Sequence, residues 1–196
     1  MSPTPRALGF QGYSLYTELE LVELISNKIR INPFPNRVMQ IPERDVFFYR
    51  NYSFFVRKTL REPLFQRFLR WLLKREKINN SVISGIQIKV LPFQKKNGNK
   101  LAGKWNRHGN ILIFPVSFEL YRKLVLKHGK EIARSYAKSR ACATLIHEIL
   151  HAKYSNDEER VRRLTERYFS IYARNPKTED FESVIFEILF GSRNEA

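Results

Sequence analysis

Apolar and polar positions alternate along this chain with two periods, and the changes of period mark its elements. In "YTELELVELISNKIR" (16–30), Leu19, Leu21, Val22, Leu24 and Ile25 suit a helix capped by Thr17. "INPFPNRVMQIP" (31–42) carries three prolines and reads as a connector. "RDVFFYRNYSFFVRKTL" (44–60) fits a strand by its aromatics and a helix by its spacing. "EPLFQRFLRWLLKREK" (62–77) predicts a helix: Pro63 suits a first helical position, and Leu64, Phe68, Trp71 and Leu72 share one face. The period then drops to two. Ile86, Ile88 and Val90 in "GIQIKVLPF" (85–93) alternate as in a half-buried strand. A turn at 95–100, a strand at 100–105, a turn at "NRHGN" and a strand at 110–116 complete a small antiparallel sheet. Helical spacing returns for 117–128, 130–153, 157–173 and 179–190, the last between a Thr178 cap and Gly191. The expected class is α+β.

The organisation that follows is an N-terminal, mostly helical extension at 1–80, with a loose tail at 1–13, and a second domain at 81–196. No repeat or low-complexity tract interrupts it. No apolar run reaches the roughly 18 residues that span a bilayer. "MSPTPRALGF" lacks the apolar centre of a secretory signal. A single cysteine, Cys142, excludes an intramolecular disulfide framework and a cysteine-rich zinc site. These features predict a soluble, cytoplasmic protein with no membrane partner.

Charge adds a second theme. Lys and Arg total 35 against 19 acids, a net charge of +16. Such a field attracts polyanions, so nucleic acid is a candidate partner through the basic surface. The plainer reading is solubility, with Lys and Arg stems covering apolar surface.

Candidate chemistry concentrates in "ACATLIHEILHAKYSNDEERVRRLTERYF" (141–169). On a helix His147 and His151 lie about 40° apart, so both can reach one metal ion. Glu148, rotated by about 100° from His147, stands beside that ion, where a general base takes a proton from metal-activated water. Cys142, Leu145, Ile146 and Ile149 form the apolar back face. A third ligand is needed, and no histidine follows His151. The remaining donors are Asp157, Glu158, Glu159 and Glu166, whose plainer role is to cap and charge a helix start. Relative to Val161 on the packed face, Glu158 lies about 60° away and Asp157 about 40°, whereas Glu159 and Glu166 turn away by about 160° and 140°. Glu158 is the expected third ligand and Asp157 the alternative, the latter also suited to capping. A His2Glu zinc site leaves an open position.

"HEILH" followed by "NDEERVRRLTERYF" resembles the gluzincin clan of zinc metallopeptidases. It is similar in particular to small HExxH domains of the ImmA/IrrE-like group. In that group the ligand Glu opens an E-x-x-A-x-x-F-A pattern. Here Glu158, Val161 and Leu164-Thr165 occupy it, with Val in place of the usual Ala. The resemblance covers about residues 85–173. It implies a zincin-like fold, a short antiparallel sheet packed on the HExxH helix, and Zn2+ held by His147, His151 and Glu158. It also implies peptide-bond hydrolysis with Glu148 as base, and a rim strand within 101–116 that binds a protein or peptide substrate through its backbone. The rival expectation is a nucleic-acid-associated protein whose zinc site is structural or vestigial. Among other polar residues, His108 reads as an exposed turn residue or a transition-state donor. His128 reads as a helix C-terminal residue, and Tyr154 and Tyr168 as packing aromatics or oxyanion donors.

Overall fold

The computed structural model describes residues 25–32, 42–90, 95–96, 99–174 and 183–191. Within them the fold is α+β, with six helices and a small mixed four-stranded sheet. The expected tail at 1–13, the Thr17 and Thr178 caps and most of the 31–42 connector lie outside the described residues.

The first strand, β1 (Ile29–Ile31), corrects two expectations, a helix through residue 30 and a connector from 31. Ile29-Arg30-Ile31 alternates buried, exposed and half-buried, a period-two pattern too short to stand out behind the helical spacing before it. The ambiguous 44–60 segment is helical: α1 spans Glu43–Leu60 and buries Tyr49, Tyr52, Val56 and Leu60 at helical spacing. Helix α2 (Pro63–Glu76) starts on Pro63 as expected, since a first-turn residue needs no N–H. Strand β2 (Gly85–Ile88) follows, then the two-residue strands β3 (Lys95–Lys96) and β4 (Asn99–Lys100), which pair with each other. Strands β5 (Gly103–Trp105) and β6 (Asn110–Ile113) form a hairpin.

The sheet order is β1-β2-β6-β5, and it is mixed rather than antiparallel. Within this sheet only β5 and β6 are joined by a tight turn, and only they run antiparallel; the separate β3–β4 pair is also antiparallel. That turn needs Gly109 at φ 77, a left-handed conformation that a β-carbon would strain. Strands β1 and β2 are separated in sequence by α1 and α2, and β2 and β6 by β3 to β5. Both pairs are parallel, as crossover connections allow. The sequence showed the hairpin and hid the crossovers.

Helix α3 (Phe118–His128) is capped by Ser117, whose Oγ accepts from Leu120 N at 3.2 Å. Gly129, at φ 86, separates it from α4 (Lys130–Tyr154), the 25-residue helix at the centre of the molecule. Ala133, Ala137, Ala141, Cys142, Leu145 and Ile149 bury the long face of α4. Helix α5 (Glu158–Ala173) packs along it, and α6 (Ser183–Phe190) also contacts it. One hydrophobic core joins Val56 and Leu60 of α1, Leu69 and Leu72 of α2, the strand isoleucines, and Val161 and Tyr172 of α5. The elements on either side of residue 80 therefore share one sheet and one core.

Candidate metal centre

His147, Glu148 and His151 project from the last two turns of α4, and Glu158 opens α5 after a three-residue turn. The turn brings Glu158 back over the histidines. Its Oε1 lies 3.4 Å from His147 Nε2 and its Oε2 lies 3.4 Å from His151 Nε2. The two Nε2 atoms are 3.1 Å apart. A tetrahedral zinc ion about 2.0–2.1 Å from each ligand would separate neighbouring ligand atoms by about 3.3 Å. The triangle matches that size, and one ligand atom per residue can be chosen with all three within 4.8 Å of one another.

Hydrogen bonds on the far side of each ring decide what those nitrogens present. His151 Nδ1 is 2.6 Å from the carbonyl oxygen of Ser155, which can only accept, so Nδ1 carries the proton. Thr165 Oγ1 donates to Val161 O at 2.7 Å and lies 3.3 Å from His147 Nδ1, so this ring also donates through Nδ1. Both Nε2 atoms then aim lone pairs into the same space, against a carboxylate. Such a meeting of acceptors is repulsive unless a cation stands between them. Burial also holds His147 down at about 4, helped by His151 and Arg162 and opposed by Glu158. Neutral imidazole is the form that binds a metal. The donor set therefore fits zinc.

The remaining acids separate by position. Asp157 caps α5, its Oδ1 accepting from Arg160 N at 3.1 Å, so its carboxylate is engaged at the helix start. Glu159 is exposed, and neither it nor Glu166 joins the His147–His151–Glu158 group. Glu148 is buried, 6% exposed, against the backbone of β5. A β-carbon on Gly103 would come within 2.5 Å of Glu148 Oε1 and 2.7 Å of Thr144 Cγ2, so glycine is what lets the edge strand approach. Burial raises Glu148 to about 7, with the Trp105 backbone N–H opposing and the Glu158 charge adding. A divalent cation nearby would draw it back down.

These side chains line a cleft of about 1540 Å³. Gly103, Lys104 and Trp105 form one wall, Tyr136 and Arg140 lie along α4, and Phe190 of α6 closes another side. Glu158, with its side chain 60% exposed, faces this opening. The other expected candidates lie elsewhere. His108 sits in the exposed β5–β6 turn and His128 ends α3. Tyr154 and Tyr168 do not serve the cleft. Both hydroxyls donate to Glu76 of α2, Tyr154 at 2.6 Å, and Lys153 Nζ joins them at 2.9 Å. Cys142 is fully buried, and burial pushes its thiol up.

Sequence reasoning missed Thr165 and the role of the Ser155 carbonyl. Thr165 had a signal, a hydroxyl in register with the buried Val161, Phe169 and Tyr172 on the packed face of α5. Ser155 had none, because every residue carries a carbonyl. Its φ of 44 aims that carbonyl back at His151.

No family model, no curated protein and no solved structure matches this chain.

Proposed function

We propose that this protein is a zinc-dependent endopeptidase of the gluzincin type, with His147, His151 and Glu158 as metal ligands and Glu148 as general base. The observation that carries this reading is the convergence of the two Nε2 lone pairs and the Glu158 carboxylate. They meet in an open cleft that also holds a buried carboxylate. When bound, zinc supplies a Lewis acid that polarises a carbonyl and makes water a nucleophile near neutral pH. Thr165 and the Ser155 carbonyl hold the two imidazoles in the ligating tautomer. Glu148 accepts the proton of the attacking water and passes it to the leaving amine. Burial beside the Trp105 N–H holds Glu148 in place and raises its affinity for that proton, which a bound cation would lower. Strand β5 is at the end of the sheet order, so its outer edge offers backbone groups to an extended peptide along the cleft.

The test compares zinc-loaded wild type with Glu148→Gln on casein or a quenched peptide. The variant is expected to keep its zinc and lose about 100-fold or more of the cleavage rate. Equal cleavage by the two proteins would remove Glu148 from the mechanism, and no cleavage by zinc-loaded wild type would remove the activity.

A further inference from the structure

A second feature lies on the opposite end of the sheet order, between the edge strand β1 and helix α1. A cavity of about 480 Å³ there is lined by Arg30, Asn32, Arg50, Phe54, Arg57 and Val90, among others. Arg30 and Arg50 are exposed. Among the described residues, no carboxylate lies within ion-pair distance of Arg30, Arg50, Arg57 or Arg61. Arg57 Nε is shut off from solvent with no hydrogen-bond partner among those residues, whereas Arg61, outside the cavity lining, donates through Nη2 to the Ile29 carbonyl at 2.9 Å. Clustered guanidinium groups with no acid to balance them ask for an anion.

The exposed face of α1 adds a second, different signal. Phe47 is 68% exposed and Phe54 54%, the two large aromatic rings left in solvent among the described residues. They are seven apart, so they stand within about 20° on the helix and about 10 Å apart along it. Arg50 and Arg57 repeat the same spacing, turned by about 60°. The result is a row of rings beside a row of guanidinium groups along α1, with Arg50, Phe54 and Arg57 lining the groove and Phe47 about two turns from Phe54. A free phosphate ion would use the arginines and leave the rings idle. An acidic peptide would do the same. A single-stranded nucleic acid uses both, since its phosphates pair with arginine and its unstacked bases lie on aromatic faces.

We infer that the β1–α1 groove binds single-stranded nucleic acid, with Arg30, Arg50 and Arg57 on the phosphates and Phe47 and Phe54 as stacking platforms. The net charge of +16 favours the approach of such a strand. The site is distinct from the metal cleft, and its binding requires neither zinc nor a peptide.

The experiment is fluorescence anisotropy of a labelled oligothymidine of about a dozen nucleotides, titrated with the full chain across a range of salt. Wild type should bind at low salt. Arg30→Gln/Arg50→Gln should weaken binding about tenfold or more and flatten the logarithmic salt dependence by about 1.4. Phe47→Ser/Phe54→Ser should weaken it about 30-fold or more while leaving the salt dependence unchanged. All four residues carry exposed side chains, and thermal melts of the variants verify folding. Arg163→Gln/Arg167→Gln removes the same charge from the exposed face of α5 and should change affinity by less than about twofold. The inference is overturned by absence of binding at low salt, or by an equal loss in the α5 variant, which would mean diffuse charge. It is overturned equally if a duplex of the same length binds as tightly as the single strand. A Phe pair that alters the melting temperature but not the affinity would also overturn it, by showing that those rings pack against protein.

Discussion

At the scale of the residue, the candidate site is governed by where protons are held. Two imidazoles could each carry their single proton on either nitrogen. Thr165 and the Ser155 carbonyl bias both toward Nδ1, so that the opposed Nε2 atoms are acceptors. This gives Thr165 a role separable from packing. Thr165→Val keeps the shape of the side chain and removes the hydroxyl. It is expected to weaken zinc binding about tenfold or more while the melting temperature of the metal-free protein changes little. A competition titration against a chromophoric chelator measures the first quantity and a thermal melt the second. Unchanged zinc affinity would show that the His147 tautomer is set by something else. The grouping of His147, His151 and Glu158 was legible in the sequence because they sit in helical register across one short turn. Its supports were not, since Thr165 lies 18 residues from His147 and a carbonyl leaves no mark in a sequence.

At the scale of the element, the turn between α4 and α5 decides where Glu158 falls, and a buried carboxylate secures it from outside. Glu76 of α2 accepts from Tyr154 and Lys153 at the end of α4 and from Tyr168 on α5. Burial alone would raise Glu76, but these three donors outweigh it and hold the carboxyl at about 2, below its ordinary value of 4.5. The sign of the linkage follows. A depressed carboxylate stabilises the fold fully above about pH 4.5, and that contribution is lost as pH falls toward 2. Glu76→Gln should therefore destabilise the protein at pH 7 by about 2–4 kcal/mol. It should also flatten the loss of stability between pH 4.5 and 2. Denaturant melts across that range measure both effects, and a variant with wild-type acid sensitivity would exclude Glu76 as the cause. Tyr154 and Tyr168 looked like cleft or packing residues in the sequence. Their partner is 78 and 92 residues away, beyond the reach of local pattern. The same limit hid β1. Ile29-Arg30-Ile31 becomes a strand only because β2, more than fifty residues later, pairs with it. The long helices and the β5–β6 hairpin, whose signals are local, were legible close to their ends.

At the scale of the whole molecule, the candidate cleft and the N-terminal elements belong to one folded body. Strand β1 extends the sheet whose far edge borders the cleft. Leu60, Phe65, Leu69 and Leu72 are fully buried in the same core as Leu145 and Ile149 of the HExxH helix. A chain beginning at residue 81 is expected to leave that face of the core in water and to lose cooperative unfolding. Circular dichroism and a denaturant melt of the fragment test this. A sharp transition like that of the full chain would show that residues 81–196 fold alone. Among the described residues, no helix is long and apolar enough to cross a membrane. The two faces of the molecule differ in chemistry: a carboxylate and imidazole cluster beside β5, and unbalanced arginines with exposed rings beside β1.

The measurement that bears most directly on this account is a zinc titration of the purified 196-residue chain beside Glu158→Ala. One tight equivalent per chain in the wild type, weakened about 100-fold or more in the variant, is the expected result. Absence of a stoichiometric site in the wild type, or equal affinity in the two proteins, would contradict it.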